Sequence, residues 1–273
     1  MNDHAVALAD ALDAAAAGAT LLPWHGGVPP GAPDLAAAYC IAHERERRRI
    51  AAGHRPRGWK IGFTNRTIWP RYGVHRPIWG RVWDDTLTLL DGGPDATISL
   101  AGLVQPRIEP EIVFGLATAP TAGMDEAALF RCIAWVAHGV EIVHTHIEGW
   151  RFASAIEPVL DGGLHGRLIV GPRTPAAAWP TLAPDLAALT LALQRAGTAV
   201  DHGRGANVLD GPVTALRLWL QAMALESPDW HAAAGDVVTT GTLTDAWPVT
   251  AGEVWQTAPS DPRLPGLTLR FVP

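Results

Sequence analysis

The chain has 273 residues, 48% of them hydrophobic and 18% charged. That balance excludes a disordered chain and suits one domain, or one domain with a small appendage. A net charge of -6 with no long basic run argues against nucleic acid as the main partner.

No uninterrupted apolar run is long enough for a membrane-spanning helix. Cys40 and Cys132 are too few for a disulfide framework and point to a reducing cytosol. Asp3, Asp10 and Asp13 stand where a secretory signal would carry basic residues, so a cytoplasmic location is expected. Twelve tryptophans are many, and Trp59, Trp69, Trp79 and Trp83 crowd one stretch. They suggest an aromatic-walled pocket or a subunit interface, with core packing the competing explanation.

Residues 4–19 are Ala-rich with apolar positions at helical spacing, a first helix. Residues 21–33 are rich in Gly and Pro, a linker or wrapping loop. Asp34 caps a second helix through Tyr39 to about Ala52, with Gly53 as its stop. Its basic cluster, Arg45 to Arg49 with Glu44 and Glu46 interleaved, reads as a solvated face. Residues 1–57 form a small helical N-terminal region and residues 58–273 the main domain.

Gly58-Trp59-Lys60-Ile61-Gly62-Phe63-Thr64 is a short strand with Lys60 embedded in it. A lysine there either snorkels at an edge or, if buried, needs an anionic partner. Residues 66–80 read as loop, followed by Gly80-Arg81-Val82-Trp83-Asp84-Asp85 and a strand over 87–90.

Gln105-Pro106-Arg107-Ile108-Glu109-Pro110-Glu111-Ile112-Val113-Phe114-Gly115 is the most informative stretch. Strand alternation puts Glu109 and Glu111 on one face and Ile108, Ile112 and Phe114 on the other. Pro110 cannot donate to a ladder, which predicts an edge or a bulge. Two like charges 4 Å apart at an effective dielectric of 20 cost about 4 kcal/mol. Either the two acids point into water, or they share a cation.

Asp125 caps a predicted helix through Leu129, Phe130, Ile133, Val136 and Ala137. Glu141 then interrupts the apolar Gly139-Val140-Glu141-Ile142-Val143. An acid between Val and Ile in a strand is explained if it faces a cation. His144 and His146 are spaced as zinc ligands, but in one regular strand they lie on the face opposite Glu141.

Strands follow over 168–170 and 189–195, then a helix from Pro212 to about Ala224. Gly203-Arg204-Gly205-Ala206-Asn207-Val208 lacks the third Gly and the strand-loop-helix setting of a dinucleotide site. Gly235-Asp236-Val237-Val238-Thr239-Thr240-Gly241-Thr242-Leu243-Thr244 is a turn, a strand and a hydroxyl-rich loop. Its threonines either hydrogen-bond a ligand or are ordinary strand residues. Many short strands and varied loops favour an α+β fold over a doubly wound sheet.

In order, the strand around Lys60, Gly73-Val74-His75-Arg76-Pro77-Ile78-Trp79-Gly80, Glu109-Pro110-Glu111, Val140-Glu141-Ile142-Val143, Ile147-Glu148-Gly149-Trp150, Gly235-Asp236-Val237-Val238 and Gly241-Thr242-Leu243-Thr244 form one constellation. It resembles the 2-keto-4-pentenoate hydratase and 4-oxalocrotonate decarboxylase branch of the fumarylacetoacetate hydrolase superfamily. The resemblance spans residues 39–255.

It implies a mixed β-roll core with a small helical N-terminal region, a Mg²⁺ or Mn²⁺ ion, a 2-oxo-acid substrate and a homo-oligomer. Glu109, Glu111 and Glu141 match the metal carboxylates, and Lys60 the active-site lysine. Asp85 matches an acid after the family's glycine and hydrophobic loop, and is the proton-transfer candidate. Val82 stands where that loop has leucine.

The family's Ala-Asp-Asn-Ala-Ser-like stretch reads here Leu160-Asp161-Gly162-Gly163-Leu164-His165. Two small polar side chains are missing and a histidine has appeared. Asp161, His165, Thr242 and Thr244, with Val82, are the candidate substrate-binding residues.

Such a site suits three reactions that share an electron sink at a 2-oxo acid. Hydration of a 2-hydroxy-2,4-dienoate comes first, and decarboxylation of a 2-oxo-enedioate second. Acylpyruvate C–C hydrolysis comes third, because its base would have to be His43 and Glu44, helix neighbours that do not face each other. A ligand-binding homologue without turnover is the alternative from a different class.

Overall fold

The computed structural model describes residues 2–22, 24 and 31–273. Of the predicted Gly/Pro-rich loop, Pro23 and residues 25–30 lie outside the described residues. Along the chain come α1 (Asp3–Gly18), α2 (Leu35–Ala51), β1 (Pro56–Gly62), α3 (Trp69–Tyr72), β2 (Ile78–Trp83), β3 (Leu87–Leu89) and β4 (Asp95–Ser99). Then follow β5 (Arg107–Leu116), α4 (Glu126–Cys132), β6 (Ile133–Val143), α5 (Ile156–Leu160), β7 (His165–Val170) and β8 (Thr174–Pro175). The remainder is α6 (Leu182–Ala188), β9 (Thr190–Arg195), β10 (Thr198–Arg204), α7 (Pro212–Glu226), β11 (Val237–Thr242), β12 (Trp247–Pro248), β13 (Val254–Pro259) and β14 (Thr268–Val272).

Both N-terminal helices start on side-chain caps. Asn2 accepts from Ala5 N–H and Asp34 from Ala37 N–H, each satisfying an orphan donor of the first turn. α1 buries Ala5, Leu8, Ala9, Leu12 and Ala15, one helical stripe. The basic cluster of α2 is a seam rather than a solvated face. Arg45 donates to Asp13 of α1 and to the Leu160 carbonyl, and Arg81 of β2 donates to the buried Glu46.

The larger sheet runs β2-β1-β11-β5-β6-β7-β3, with β12 also on β5 and β8 also on β6. β1 is parallel to β11 and β3 to β7, while β2–β1, β11–β5, β5–β6 and β6–β7 are antiparallel. Its two outer strands, β2 and β3, are joined by a short turn, so the sheet must curl until its edges meet. The result is a roll.

Val82, Val113, Ala137, Leu168, Val170 and Val237 form a small apolar plug inside it. The outer face, with Ile108, Ile112, Phe114, Val140 and Ile142, belongs to the main core. A second sheet, β10-β9-β13-β14-β4, adds Leu193, Trp255, Leu269 and Phe271 to that core. This is the expected α+β fold with a mixed β-roll.

Two local expectations are corrected. The helix capped by Asp125 ends at Cys132, and Ile133, Val136 and Ala137 belong to β6. Pairing with β5 along the stretch, and with β8 at Trp135 and Val136, outweighs a weak helical period there. The stretch read as loop over 66–80 contains α3 and the start of β2.

Pro110 lies in an interior strand and not at an edge. Its carbonyl accepts from Leu243 N–H, and the β11 ladder beside it is interrupted between Thr239 and Thr242. N–H and C=O of one strand residue face the same neighbour, so the missing donor would face the Leu243 carbonyl, which accepts from Asn207 Nδ2 instead.

Candidate active site

Strand alternation aims Arg107, Glu109 and Glu111 of β5 into the roll. On β6, Glu141 is the direct cross-strand partner of Glu109, and Gly139 stands opposite Glu111. Oxygens of Glu109, Glu111 and Glu141 all lie within 4.8 Å of one another. β1 contributes Lys60, whose Nζ is 3.4 Å from Glu141 Oε2. Acids from two segments and the embedded lysine therefore meet at one point, above the plug.

Glu111 and Glu141 are fully buried. Glu111 Oε2 accepts from Gly241 N–H at 2.7 Å, and Glu141 Oε1 accepts from His165 Nδ1 at 2.7 Å. Of the other two oxygens, Glu111 Oε1 has no hydrogen-bond partner, and Glu141 Oε2 is met by the Lys60 ammonium at 3.4 Å. Orphaned buried carboxylate oxygens are costly. Three carboxylates against one ammonium leave negative charge to be balanced, and hard oxygen donors converging this way fit a divalent cation such as Mg²⁺ or Mn²⁺.

The electrostatics agree. Burial pushes the Glu109 carboxyl up to about 7, Lys60 opposing and Glu141 adding to the effect. Burial, reinforced by Glu141 and Glu109, raises Glu111 well above the carboxylate range. Burial would also raise Glu141, but Lys60 and His165 outweigh it and hold that carboxyl below its ordinary value. For Lys60, burial favours the neutral amine, and Glu141, Glu109 and Glu111 reverse this, so it stays an ammonium.

Backbone constraints hold the acids in place. Gly241 sits at φ +100°, where a Cβ would fall 2.0 Å from Thr64 Oγ1, so only glycine lets its N–H reach Glu111. The buried His138 ring bridges the Glu111 carbonyl oxygen and Thr257 Oγ1 at 3.0 and 2.7 Å. Burial lowers its pKa to about 4, so it is neutral at pH 7.

Lys60 and Glu109 open onto a cavity of about 390 Å³. Its walls include Phe63, Tyr72, Phe152 and Trp150, which follow one another in that order at ring separations of 5.0, 6.4 and 6.0 Å. Arg107 also lines it, its guanidinium 4.3 Å from the Trp150 ring centre. Arg107 makes no ion pair among the described residues. Alternation from Glu109 would have placed Arg107 on this face; the aromatic walls come from distant segments and carried no such signal. Trp59 and Trp79, in the tryptophan-rich stretch, are core residues instead.

The remaining sequence candidates fall in different places. Thr242 and Thr244 line the cavity, on a loop tied down by Asn207 Nδ2 donating to the Leu243 carbonyl. Their hydroxyls donate to Thr244 O and Asp245 O. Asp85 does not belong to the centre. It occupies the exposed β2–β3 turn, paired with Arg49 and near His54, because that turn projects into solvent.

Val82 does not line the cavity either; it is part of the plug, two residues beyond Gly80, the cross-strand partner of Lys60. Asp161 is committed to Thr145 Oγ1, His146 N and His146 Nδ1 at 2.8, 2.8 and 2.6 Å. His165 contacts Glu141 and Thr86, not the 390 Å³ cavity. His144 and His146 stay apart from the acids. His43 packs against Trp230, while Glu44 is taken up by Arg47 and Arg48.

No family model matches the chain. Over 238 residues it is 30% identical to the TodF product hydratase of Pseudomonas putida (strain F1), covering 87% of this chain and 83% of that protein. It is 30% identical over 225 residues to the 4-oxalocrotonate decarboxylase of Pseudomonas sp. (strain CF600), covering 81% of each. Among solved structures, 4-oxalocrotonate decarboxylase from Pseudomonas putida G7, complexed with magnesium and adipate, superposes with a TM-score of 0.86 at 25% identity. That likeness covers 100% of this chain and 98% of the other.

Proposed function

The chain belongs to the hydratase and decarboxylase branch of the fumarylacetoacetate hydrolase superfamily, and on that footing we propose that it is a divalent-metal-dependent lyase of small 2-oxo acids. The first reading is hydration of a 2-hydroxy-2,4-dienoate of the 2-keto-4-pentenoate type, in the breakdown of aromatic compounds. One observation carries it: two buried carboxylates and a half-buried third, with an orphaned oxygen on Glu111, beside Lys60 and next to an aromatic-walled cavity.

Glu109, Glu111 and Glu141 would hold Mg²⁺ or Mn²⁺, which supplies Lewis-acid stabilisation of the charge that develops on the oxygen of a 2-oxo acid. The chain's own residues do the rest. Lys60, kept charged by the acids around it, attracts the substrate carboxylate and offers a proton at Nζ beside the reacting end. Phe63, Tyr72, Trp150 and Phe152 accept an apolar tail and limit water to what the reaction needs. Thr242 and Thr244 also line the cavity. Asp85 has no part in proton transfer from its place at the surface turn.

Decarboxylation of a 2-oxo-enedioate has an observation of its own. Arg107 lines the same cavity, two residues from Glu109 on the same strand face and without an ion-pair partner among the described residues. A second carboxylate on the substrate would meet it. Hydrolysis lacks a comparable feature, since Glu44 is held by arginines.

The deciding experiment is a spectrophotometric screen of 2-hydroxydienoates, 2-oxo-enedioates and acylpyruvates, with Mg²⁺ and with EDTA. Magnesium-dependent loss of the dienoate supports the first reading, and CO₂ release from the enedioate the second. Turnover indifferent to EDTA, or no turnover of any of the three, overturns the lyase assignment.

A further inference from the structure

The stretch 160–165 is where this sequence departs from its family's pattern, and it ends on a histidine that points at a proposed metal ligand. His165 Nδ1 lies 2.7 Å from Glu141 Oε1, and its Nε2 lies 2.8 Å from Thr86 Oγ1. The side chains of His165 and Glu141 are 3% and 0% exposed. Thr86 is fixed in turn. Its hydroxyl accepts from Trp83 N–H at 3.1 Å, and its carbonyl accepts from Leu168 N–H of β7 at 2.8 Å.

A carboxylate accepts only, so His165 Nδ1–H donates to Glu141 Oε1. On the other side of the ring Nε2 meets the Thr86 hydroxyl, which also reaches the Trp83 carbonyl at 3.2 Å. Thr86, held by Trp83 through both backbone groups, braces the far edge of the imidazole. The backbone leading into it is specialised. Gly162, Gly163 and Leu164 sit at φ +68°, +71° and +68°, a left-handed run that is unfavourable for the leucine. That run delivers His165 to the start of β7, beside the irregular pairing of β6 and β7 after Ile142.

We propose that His165, locked by Thr86, is a positioning residue that occupies one oxygen of Glu141 and leaves the other, Oε2, facing Glu109, Glu111 and Lys60. This rests on the reading of the three acids as a metal centre. With Oε1 engaged, Glu141 serves a cation through a single oxygen, which keeps coordination positions open for the two oxygens of a 2-oxo acid. The same contact stops Glu141 from rotating to pair with Lys60 through both oxygens. His165 acts through Glu141 and does not touch substrate.

The test is Mn²⁺ binding to the full chain, followed by the electron paramagnetic resonance of free Mn²⁺, with apo-protein melting as the folding control. Wild type should bind one Mn²⁺ and Glu141→Gln should lose it. His165→Leu should bind roughly 10- to 100-fold more weakly. His165→Asn, whose Nδ2–H can take the place of Nδ1–H, should recover to within about threefold of wild type. Wild-type affinity in His165→Leu overturns the proposal while leaving the metal centre standing. Absence of Mn²⁺ binding in wild type overturns the metal centre and the proposal with it.

If His165→Leu does not fold, Thr86→Val decides. It should weaken Mn²⁺ binding and shift the ¹⁵N signals of His165 away from the Nδ1–H tautomer. Unchanged affinity and unchanged tautomer in that variant also overturn the proposal.

Discussion

Glu109 and Lys60 carry opposite expectations, each set by the charges beside it. Folding raises the Glu109 carboxyl from 4.5 to about 7, so in the metal-free chain the fold favours its protonated form. Its contribution is therefore least harmful below about pH 4.5 and turns into a penalty as pH rises to about 7. With EDTA present, Glu109→Gln should melt higher than wild type at pH 8, and the gap should close towards pH 4. A gap independent of pH would remove the raised carboxyl from the account.

Lys60→Ala should leave Mg²⁺ binding in place, since the three acids remain. Turnover should drop about 100-fold or more, the scale of losing one charged stabiliser of a developing oxyanion. Unchanged kinetics would reject its role. Both residues stand out in the sequence because ionisable groups inside apolar strands need a reason. The same alternation puts Arg107 on the inward face, whereas nothing local specifies the contact of His165 with Glu141. Which side chain a histidine after two glycines will meet depends on a neighbouring strand.

Among the elements, β5 and β6 were legible to different depths. β5 follows its alternation throughout, acids inward and Ile108, Ile112 and Phe114 outward. Pro110 marked an irregularity, but the interruption lies in β11, the strand next to it. β6 was half hidden behind a helical pattern, since Leu129 and Phe130 at the end of α4 run straight into Ile133, and a short apolar stretch suits either period.

The loop at the end of β11 is where an element and the site are most tightly joined. Gly241→Ala would place a Cβ 2.0 Å from Thr64 Oγ1 in a backbone conformation at φ +100°. It should destabilise the fold by about 2–4 kcal/mol and weaken metal binding by withdrawing the N–H from Glu111. A denaturant melt and a Mn²⁺ titration of the same preparation check both, and a neutral result in both would show that the loop adapts.

For the whole molecule, metal binding and folding stability should be linked, because the acids converge only in the closed roll. Mg²⁺ at 100 times its Kd should add about 2.7 kcal/mol to stability, read as a rise in melting temperature. Oxalate, a mimic of a 2-oxo acid's enolate, should raise it further only when Mg²⁺ is present. A rise with Mg²⁺ but none with oxalate would favour a structural ion and the ligand-binding alternative over a lyase.

The sequence by itself determined the helical start with its Asp34 cap, the strand faces, the acids that face inward and the family. Each of these is written in local period and composition, which neighbours along the chain impose. Only the tertiary structure decided that β2 and β3 close the sheet, that Asp85 on the turn between them is turned out to solvent, that Val82 plugs the roll and that His165 reaches Glu141. Strand order and curl fix which inward faces meet, and no local period specifies them.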